Sequence, residues 1–402
     1  MRIATATAYQ VAIQNLQDRQ VDLTETQVRL TSGKRVLRAG DDPTAAARAE
    51  RAAAAIERST VSQRAVEASR TAMTLAESAL GNAVNLVQTA RETLVAAGNG
   101  SYTAAERKGL AAQLQQIRDQ LLSIANQQDG AGNYLFAGQG AAGAPFVSSP
   151  SGVQFTGVGG VVSVASGEVL PATVDGQAAW MSAATGNGVF ETQRVNVSGA
   201  AWIDAGRVTA PASVQDLRYD VTFSVTGGTT TYTIQPRDPN TGTAVGAPSS
   251  GTYQSGSAIS IDGIAFTITG TPADGDEFRI MPSTPTLSVF DALDRAIEGL
   301  RSDSAAPTDV IQTTNDGLRN LDSVLARLQS VRSAVGDTLH RIDGVEDRLS
   351  ALKLNAQTDR SNAEDLDMVQ AISEFQNKQT GYDAVLKTYS MVQRMSLFQY
   401  LG

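Results

Sequence analysis

The segment that decides the fold is residues 321–366, LDSVLARLQSVRSAVGDTLHRIDGVEDRLSALKLNAQTDRSNAEDL. Apolar residues recur in it at every seventh position, as Leu321, Leu328, Val335, Ile342, Leu349, Ala356 and Ala363. A less regular series lies three places after each of these, as Val324, Val331, Thr338, Val345, Leu352, Asp359 and Leu366. Two such series form the a and d rows of a coiled coil, so the segment predicts a long helix that needs a partner helix.

The heptad pattern changes phase before the chain ends. After Ala363 the next position of the first series is Gln370, whereas large residues resume as Met368, Phe375, Tyr382 and Tyr389, with Val385 and Val392 beside them. Such a change turns the apolar stripe to another side of the helix or marks a joint between two helices. We place the change in the polar patch 357–362.

The N-terminal residues offer these helices a partner. A heptad series, widened by Ile13, Val21 and Val28, consists of Tyr9, Leu16, Leu23 and Leu30. It stops at Gly33, because glycine tolerates the left-handed backbone that ends many helices. The two ends of the chain are therefore expected to pack side by side.

Two further helices follow before the composition changes. Asp41 and Asp42 are suited to cap the first of them and Pro43 to occupy its first turn. Large residues and alanines alternate along this helix, as Val66, Met73, Ala76, Leu80, Ala83, Val87, Ala90, Leu94 and Ala97. The pattern ends at 99–100, and the next helix carries Leu110, Leu114, Ile117, Leu121 and Ile124. Alanine between large residues permits close helix packing.

Residues 146–285 are rich in valine, threonine and glycine and alternate with the period of a strand. Examples are 219–225 and 264–268, and Asp262-Gly263 between two isoleucines predicts a tight hairpin. A short amphipathic helix then presents one apolar face with Phe290, Leu293, Ile297 and Leu300. The predicted fold class is therefore α+β: an α-helical coiled-coil stalk formed by both termini, with an antiparallel β-rich domain inserted at its far end.

Composition and charge exclude several function classes. The 402 residues carry a net charge of −9 and are 42% hydrophobic but only 5% aromatic. This charge gives no electrostatic attraction to nucleic acid or to an anionic membrane. The absence of cysteine removes disulfides and thiolate chemistry. The N-terminus lacks the apolar core of a secretory signal and no apolar run reaches the roughly 18 residues of a membrane span, which taken alone predicts a cytoplasmic protein.

No catalytic, cofactor or metal site is expected. His340 is the single histidine and falls in the helical pattern, where a surface position is expected. Asp274-Gly275-Asp276 reads as a β-turn, because the spacing of a calcium loop is absent. The glycines at 130–132 follow no strand and open no helix pattern, so they do not predict a phosphate loop. The acidic residues of the β-rich region are scattered at turns, which disfavours a carbohydrate-active enzyme with paired carboxylates.

Four stretches together resemble the flagellin superfamily of axial flagellar proteins, and within it the proteins of the hook–filament junction. These stretches are 29–36 (RLTSGKRV), 40–43 (GDDP), 132–138 (GNYLFAG) and 389–401 (YSMVQRMSLFQYL). The resemblance covers roughly 1–140 and 287–402 and is specific in combination. Filament-forming flagellin is the alternative, but its usual Asp-Asp-Ala-Ala-Gly and its usual C-terminal ending differ from 41–45 and 397–401 here.

The resemblance implies partners and a location. Proteins of this kind are exported without cleavage by the flagellar type III export apparatus, and a flagellar export chaperone holds their C-terminal part beforehand. They assemble outside the cell with copies of themselves as a ring, between hook-associated protein 1 and flagellin. No nucleic acid, membrane insertion or cofactor is implied. An adhesive or glycan-binding role of the β-rich domain is a further alternative.

The expected organisation has three parts. A terminal helical assembly domain comprises 1–40 and 365–402, a helical stalk comprises 41–138 and 287–364, and the inserted β-rich domain comprises 139–286. The residues expected to mediate assembly are Tyr9, Leu16, Leu23, Leu30, Gly33, Asp41, Asp42, Pro43, Phe375, Tyr382, Tyr389, Val392, Phe398 and Leu401. The aromatic stripe among them is expected to form a core between subunits, because one partner helix cannot cover it.

Overall fold

Seven α-helices and thirteen strands occupy the part of the chain that the computed structural model describes, which is residues 2–165, 169–302 and 306–401. Side chains are described within 10–163, 169–302 and 306–391. The helices are α1 Arg2–Ser32, α2 Pro43–Ala97, α3 Ala104–Ala125, α4 Gly176–Trp180, α5 Val289–Arg301, α6 Pro307–Glu364 and α7 Met368–Leu401. The chain forms two compact units, a terminal unit of 1–64 with 345–402 and a central unit of 65–344. The three-part organisation given above stays a prediction.

In the central unit α2 and α6 pack as the heptads predict. The large residues of the α2 series and its alanines from Ala76 onward are buried, as are Leu321, Leu328, Val335 and Ile342 of α6. Ion pairs join Arg70 to Asp343 (2.6 Å), Glu77 to Arg332 (2.6 Å) and Arg91 to Asp322 (2.6 Å). Residues later in α2 pair with residues earlier in α6, so the two helices run antiparallel in a constant register.

At the start of the terminal unit Val345 and Leu349 of both α6 rows are buried, but beyond Leu349 only the first row stays buried. Ala356 and Ala363 are covered, whereas Leu352 is 53% exposed and Asp359 is exposed. The facing part of α2 presents alanines such as Ala49 and Ala52, and small residues bring the helices together through a narrower contact. The predicted two-row seam therefore narrows to one row here.

The break between the last two helices lies later than the sequence pattern placed it. α6 continues through the polar patch 357–362 to Glu364, and the chain leaves helical geometry at 365–367. The Asp367 carboxylate then accepts hydrogen bonds from the backbone N–H groups of Val369 (3.0 Å) and Gln370 (3.1 Å). This aspartate fixes the start of α7, because it satisfies backbone donors that the first turn leaves free.

Helices α3 and α5 pack on each other in the central unit. Thr103 and Glu106 form a reciprocal capping box that starts α3, and Ser288 caps α5. Arg118 of α3 makes a two-pronged ion pair with Asp294 of α5, at 2.8 and 3.2 Å. The predicted apolar face of α5 is buried, which confirms that helix.

All strand pairs of the sheets are antiparallel, as predicted. The strands are β1 Phe146–Ser149, β2 Gly152–Phe155, β3 Ser163–Ala165, β4 Val169–Pro171, β5 Phe190–Asn196, β6 Ala200–Ile203, β7 Arg207–Val208, β8 Arg218–Thr226, β9 Thr229–Arg237, β10 Ser249–Thr252, β11 Ala258–Ile261, β12 Ile264–Thr271 and β13 Glu277–Pro282. One sheet has the order β10-β9-β8-β13-β5, a second has β11-β12-β6 with β7 beside β12, and β1-β2 and β3-β4 form separate hairpins.

The two larger sheets share one apolar core. Phe223 and Phe278 from the first sheet and Phe266 and Ile268 from the second belong to the same buried cluster. The predicted hairpin at Asp262-Gly263 joins β11 to β12, with φ of 45° and 80° at its two turn residues. Positive φ at both positions is the geometry that matches the twist of a two-residue hairpin.

Candidate assembly surface

Helices α1 and α7 pack against each other and form the terminal pair. The Lys378 ammonium donates to the Thr26 hydroxyl at 3.0 Å, and Arg19 approaches Gly381. The sides of the helices that face each other are half-buried, with Leu16, Leu23 and Leu30 on α1 and Phe375, Tyr382 and Tyr389 on α7. These six predicted residues are therefore brought together within one chain, but none is fully covered.

Other predicted assembly residues fall elsewhere. The side chains of Tyr9, Val392, Phe398 and Leu401 lie outside the described residues. Met368, which opens the restarted heptad, is 45% exposed. Whether the aromatic stripe also serves as a core between subunits stays a prediction.

The terminal pair also carries a second set of apolar side chains, which point to solvent. This outer apolar surface consists of Val11, Ile13, Val21, Val28, Met368, Val369, Ile372, Leu386 and Met391. Val369 is 81% exposed and Met391 62%. Single exposed apolar residues are normal on a protein surface, but nine on two neighbouring helices make these helices a candidate for contact with other molecules. Sequence reasoning named Met368 but missed the other α7 members, although the spacing of Val369, Ile372 and Leu386 was a signal for a second apolar face.

The segment that connects α1 to α2 forms hydrogen bonds with the segment that connects α6 to α7. Gly33 O accepts from Leu366 N (3.0 Å), and Arg35 N donates to Glu364 O (2.7 Å). Lys34 and Asp365 form an antiparallel bridge. We call residues 33–42 with 363–367 the joint, because these hydrogen bonds tie the ends of four helices together.

The aspartates of the joint fix its backbone. One Asp41 oxygen accepts the N–H groups of Leu37 and Arg38, both at 3.0 Å. Asp42 accepts from Ala45 N at 3.0 Å and from the Thr44 hydroxyl at 2.8 Å, so it caps α2. The predicted capping role of Asp42 and the place of Pro43 in the first turn are confirmed.

Hydrogen bonds shift the acidities of the joint. Hydrogen bonds from the backbone N–H of Ala45 and the hydroxyl of Thr44 lower the pKa of Asp42 to about 2. Hydrogen bonds from the backbone N–H groups of Arg38 and Leu37 lower the pKa of Asp41. Burial alone would raise the pKa of Glu364, but hydrogen bonds from Arg360 and Lys34 outweigh it and lower that pKa. All three carboxylates therefore favour the folded state in their charged form.

We expect the joint to weaken in acid. A carboxylate whose pKa falls on folding stabilises the fold fully above its ordinary pKa, here 3.8, and this contribution disappears as the pH approaches about 2. Asp42→Asn keeps a capping oxygen without the charge, so its melting temperature should depend less on pH between these values than that of the wild type. Melting followed by circular dichroism tests this. Asp18→Asn is the control, since its carboxylate has no hydrogen bond or ion pair among the described residues, and equal pH dependence of all three proteins would contradict the expectation.

Gly33→Val should disturb the joint without disturbing the helices. Gly33 has a φ of +69°, and a side chain there would meet nothing within 4 Å, so the cost is backbone strain. That strain is about 1–2 kcal/mol for a residue with a Cβ and more for a β-branched one. We expect full helix content by circular dichroism together with a large loss of motility. Gly40→Val is the control, because it adds the same side chain in open space without a positive φ, and normal motility of Gly33→Val would contradict the prediction.

The stretch 132–138 has a structural role in the central unit. Its Phe136 is fully buried and meets Trp180 edge to face at 5.4 Å, and Trp180 stacks on Phe290 at 6.2 Å. Gly138 has a φ of +66°, and a Cβ there would lie 2.0 Å from Val158 O. The glycine therefore permits a close backbone approach that holds the aromatic cluster in place.

In the two glycine-containing loops around Asp276 and Asp129, the carboxylates accept hydrogen bonds from the backbone of the protein. Asp276 directs its carboxylate at backbone N–H groups of Ser198, Gly199 and Ala273, and the Asp129 carboxylate occupies the N–H groups of Ala131 and Asn133. His340 is 86% exposed, as predicted. Among the described residues no three His, Cys, Asp or Glu side chains cluster as metal ligands. No helix in the described part of the chain is long and apolar enough to cross a membrane.

Comparison with known proteins identifies the class. Residues 3–141 match the bacterial flagellin N-terminal helical region, and residues 318–401 match the bacterial flagellin C-terminal helical region. These two regions contain the joint and all of the terminal pair except its first residue, Arg2. The chain belongs to the flagellin family.

Within that family its relatives are hook–filament junction proteins. Flagellar hook-associated protein 3 of Salmonella typhimurium is 26% identical over 321 residues, which are 80% of this chain and 74% of the relative. The structure of the flagellar junction protein FlgL from Legionella pneumophila is 28% identical with a TM-score of 0.63, covering 71% of this chain and 95% of that one. A structure of FlgL from Xanthomonas campestris is 28% identical with a TM-score of 0.68, covering 78% and 99%. These similarities favour the junction proteins over filament-forming flagellin.

Proposed function

We propose that this chain is a structural protein of the bacterial flagellum that forms the junction between hook and filament. The observation that carries the proposal is the outer apolar surface, which lies on the two helices that define the family and whose side chains are 36–81% exposed among the described residues. Fully burying one such side chain contributes about 1.5–3 kcal/mol. Burial of this surface against a neighbouring molecule would therefore contribute favourably to binding.

The proposed partners are those of an axial protein: copies of this chain in a ring, hook-associated protein 1 on one side and flagellin on the other. Before export through the type III apparatus, a chaperone would cover the C-terminal part of the same surface. Export without a cleaved signal and an extracellular location complete the proposal. Its function is mechanical, and we propose no catalytic activity.

The assembly residues of this proposal are the outer apolar surface and the joint, together with the residues proposed from sequence. Those are Tyr9, Leu16, Leu23, Leu30, Gly33, Asp41, Asp42, Pro43, Phe375, Tyr382, Tyr389, Val392, Phe398 and Leu401. Half-burial of the six described members of the two heptads supports a dual use, in which they hold the terminal pair together and add contact area when subunits meet.

A deletion strain tests the proposal. Without this chain, cells should be non-motile and release flagellin into the medium, and a copy supplied on a plasmid should restore both properties. Gold-labelled antibody should mark one position next to the hook in the complemented strain. Labelling along the whole filament would instead assign the chain to filament-forming flagellin, and a motile deletion strain would reject an axial role.

A further inference from the structure

The sequence contains two Asn-Gly pairs, at 99–100 and at 187–188. In this dipeptide the backbone nitrogen of the glycine can attack the side-chain amide carbon of the asparagine, because the glycine has no side chain to shield its nitrogen. All four residues are exposed, so access to water does not distinguish the two pairs. The hydrogen bonds of the two pairs do distinguish them.

The first pair lies in the turn between α2 and α3. Asn99 Oδ1 accepts the backbone N–H of Ser101 at 3.1 Å and the Ser101 hydroxyl at 3.0 Å. The bond to the N–H two residues on directs the side chain along the peptide that follows it, and both donors stabilise negative charge on this oxygen. Among the described residues neither the Gly100 N–H nor the Asn99 amide nitrogen Nδ2 donates to an acceptor. The attacking and the leaving nitrogen are therefore both unrestrained.

The second pair lies in the turn before β5 and is held at both nitrogens. The Gly188 N–H donates to Thr185 O at 3.3 Å. The Asn187 amide nitrogen Nδ2 donates to Ala205 O at 3.2 Å and to Gly206 O at 3.4 Å. The oxygen Oδ1 of Asn187 also accepts two backbone N–H groups, so the difference between the pairs lies at the nitrogens and not at the oxygens. Reaction at Asn187 must break these hydrogen bonds, whereas reaction at the first pair has no such bond to break at either nitrogen.

We propose that Asn99 is a site of self-modification, which the Gly100 nitrogen converts to aspartate and isoaspartate while Asn187 persists. In the first step a bond forms between Gly100 N and Asn99 Cγ, the Cγ–Nδ2 bond breaks, and ammonia leaves with the proton of the Gly100 N–H. The product of this step is a five-membered cyclic imide. In the second step water adds to either carbonyl of the imide and opens the ring, so water is the only co-reactant and no electrons are transferred.

The modification changes the turn between α2 and α3 in two ways. Both products carry a carboxylate, which adds one negative charge to the net charge of −9. This charge follows the carboxyl end of α2, where the helix dipole disfavours it. Isoaspartate also lengthens the main chain by one atom in a turn that the Tyr102 N–H closes on Asn99 O at 3.1 Å. The reaction belongs to the isolated chain, so it does not depend on the proposed function.

Mass spectrometry of the purified full-length chain tests the site. The folded chain is incubated in mildly alkaline buffer, and trypsin then releases 92–107 while chymotrypsin releases 181–190. We expect Asn99 to be modified at least tenfold faster than Asn187, a ratio that about 1.4 kcal/mol of activation free energy produces. In urea the two rates should become similar, because the hydrogen bonds that protect Asn187 are lost there. Equal rates in the folded chain would overturn the proposal, and so would an Asn99 that persists while the unfolded chain is modified.

Gly100→Ala is the matched variant. A Cβ at this position meets nothing within 4 Å, and Gly100 is not among the glycines with positive φ, so the fold tolerates the change. The added methyl group shields the attacking nitrogen and should slow modification of Asn99 at least tenfold without changing the rate at Asn187. An unchanged rate at Asn99 would reject attack by the nitrogen of residue 100. Asn99→Gln is the unmodified control, and its melting temperature should stay constant during an incubation that lowers the melting temperature of the wild type.

Discussion

Replacing Val369 and Ile372 by aspartate should abolish assembly while leaving the isolated subunit as stable as the wild type. Val369 is 81% exposed and Ile372 45%, so their replacement removes little packing from the single chain. Both also lie near the start of α7, where a carboxylate interacts favourably with the helix dipole by about 0.3–1 kcal/mol. The melting temperature of the purified subunit should therefore change little.

The effect on assembly should be large. Burial of two such residues contributes about 3–6 kcal/mol, and this energy corresponds to a loss of roughly two to four orders of magnitude in binding. The measurements are thermal melting of the subunit, flagellin in the culture supernatant and swimming. Val245→Asp is the control, because Val245 is 42% exposed in the β-rich region and is not among the proposed assembly residues. Normal swimming of the double variant would show that these two residues stay exposed in the flagellum.

Trp180→Ala should strongly destabilise the central unit. Trp180 is fully buried, and its ring lies 5.4 Å from Phe136 and 6.2 Å from both Phe146 and Phe290. Removing a buried aromatic side chain of this size costs about 3–5 kcal/mol. The free energy of unfolding by urea measures the effect.

The second tryptophan provides the control. Trp202 on β6 is only half-buried, so Trp202→Ala should cost clearly less. Trp180→Phe should fall between wild type and Trp180→Ala, because the indole N–H of Trp180 has no hydrogen-bond partner among the described residues and only volume is removed. Equal losses for Trp180→Ala and Trp202→Ala would show that the aromatic cluster is not the main support of this region.

Sequence reasoning succeeded where a signal is local. The heptad series on α2 and α6 fixed which side of each helix is buried in the central unit, because a helix repeats its faces every 3.6 residues whatever surrounds it. The capping by Asp42, the end of α1 at Gly33 and the hairpin at Asp262-Gly263 were also readable, since each depends on the backbone preferences of a few neighbouring residues.

Tertiary structure decided whatever depends on residues that are distant in the chain. The hydrogen bonds of Arg35 with Glu364 and of Leu366 with Gly33 join positions more than three hundred residues apart, and no local pattern predicts them. The strand order β10-β9-β8-β13-β5 likewise follows from long-range pairing rather than from the strands themselves. Leu352 is exposed within a regular heptad because the facing helix presents alanines. The burial of Leu352 therefore depends on the partner helix and not on its own position in the heptad.

For this protein the sequence alone determined the helical ends, the antiparallel β-rich insertion and the family likeness, because these rest on periodicity and on short motifs. It did not determine which apolar residues the subunit covers for itself and which it leaves for partners. Val369 and Leu16 are both apolar residues on amphipathic terminal helices, yet the first is almost fully exposed and the second is half-buried against the other helix of the terminal pair. Burial is a property of the space around a side chain, and only the packed helices define that space.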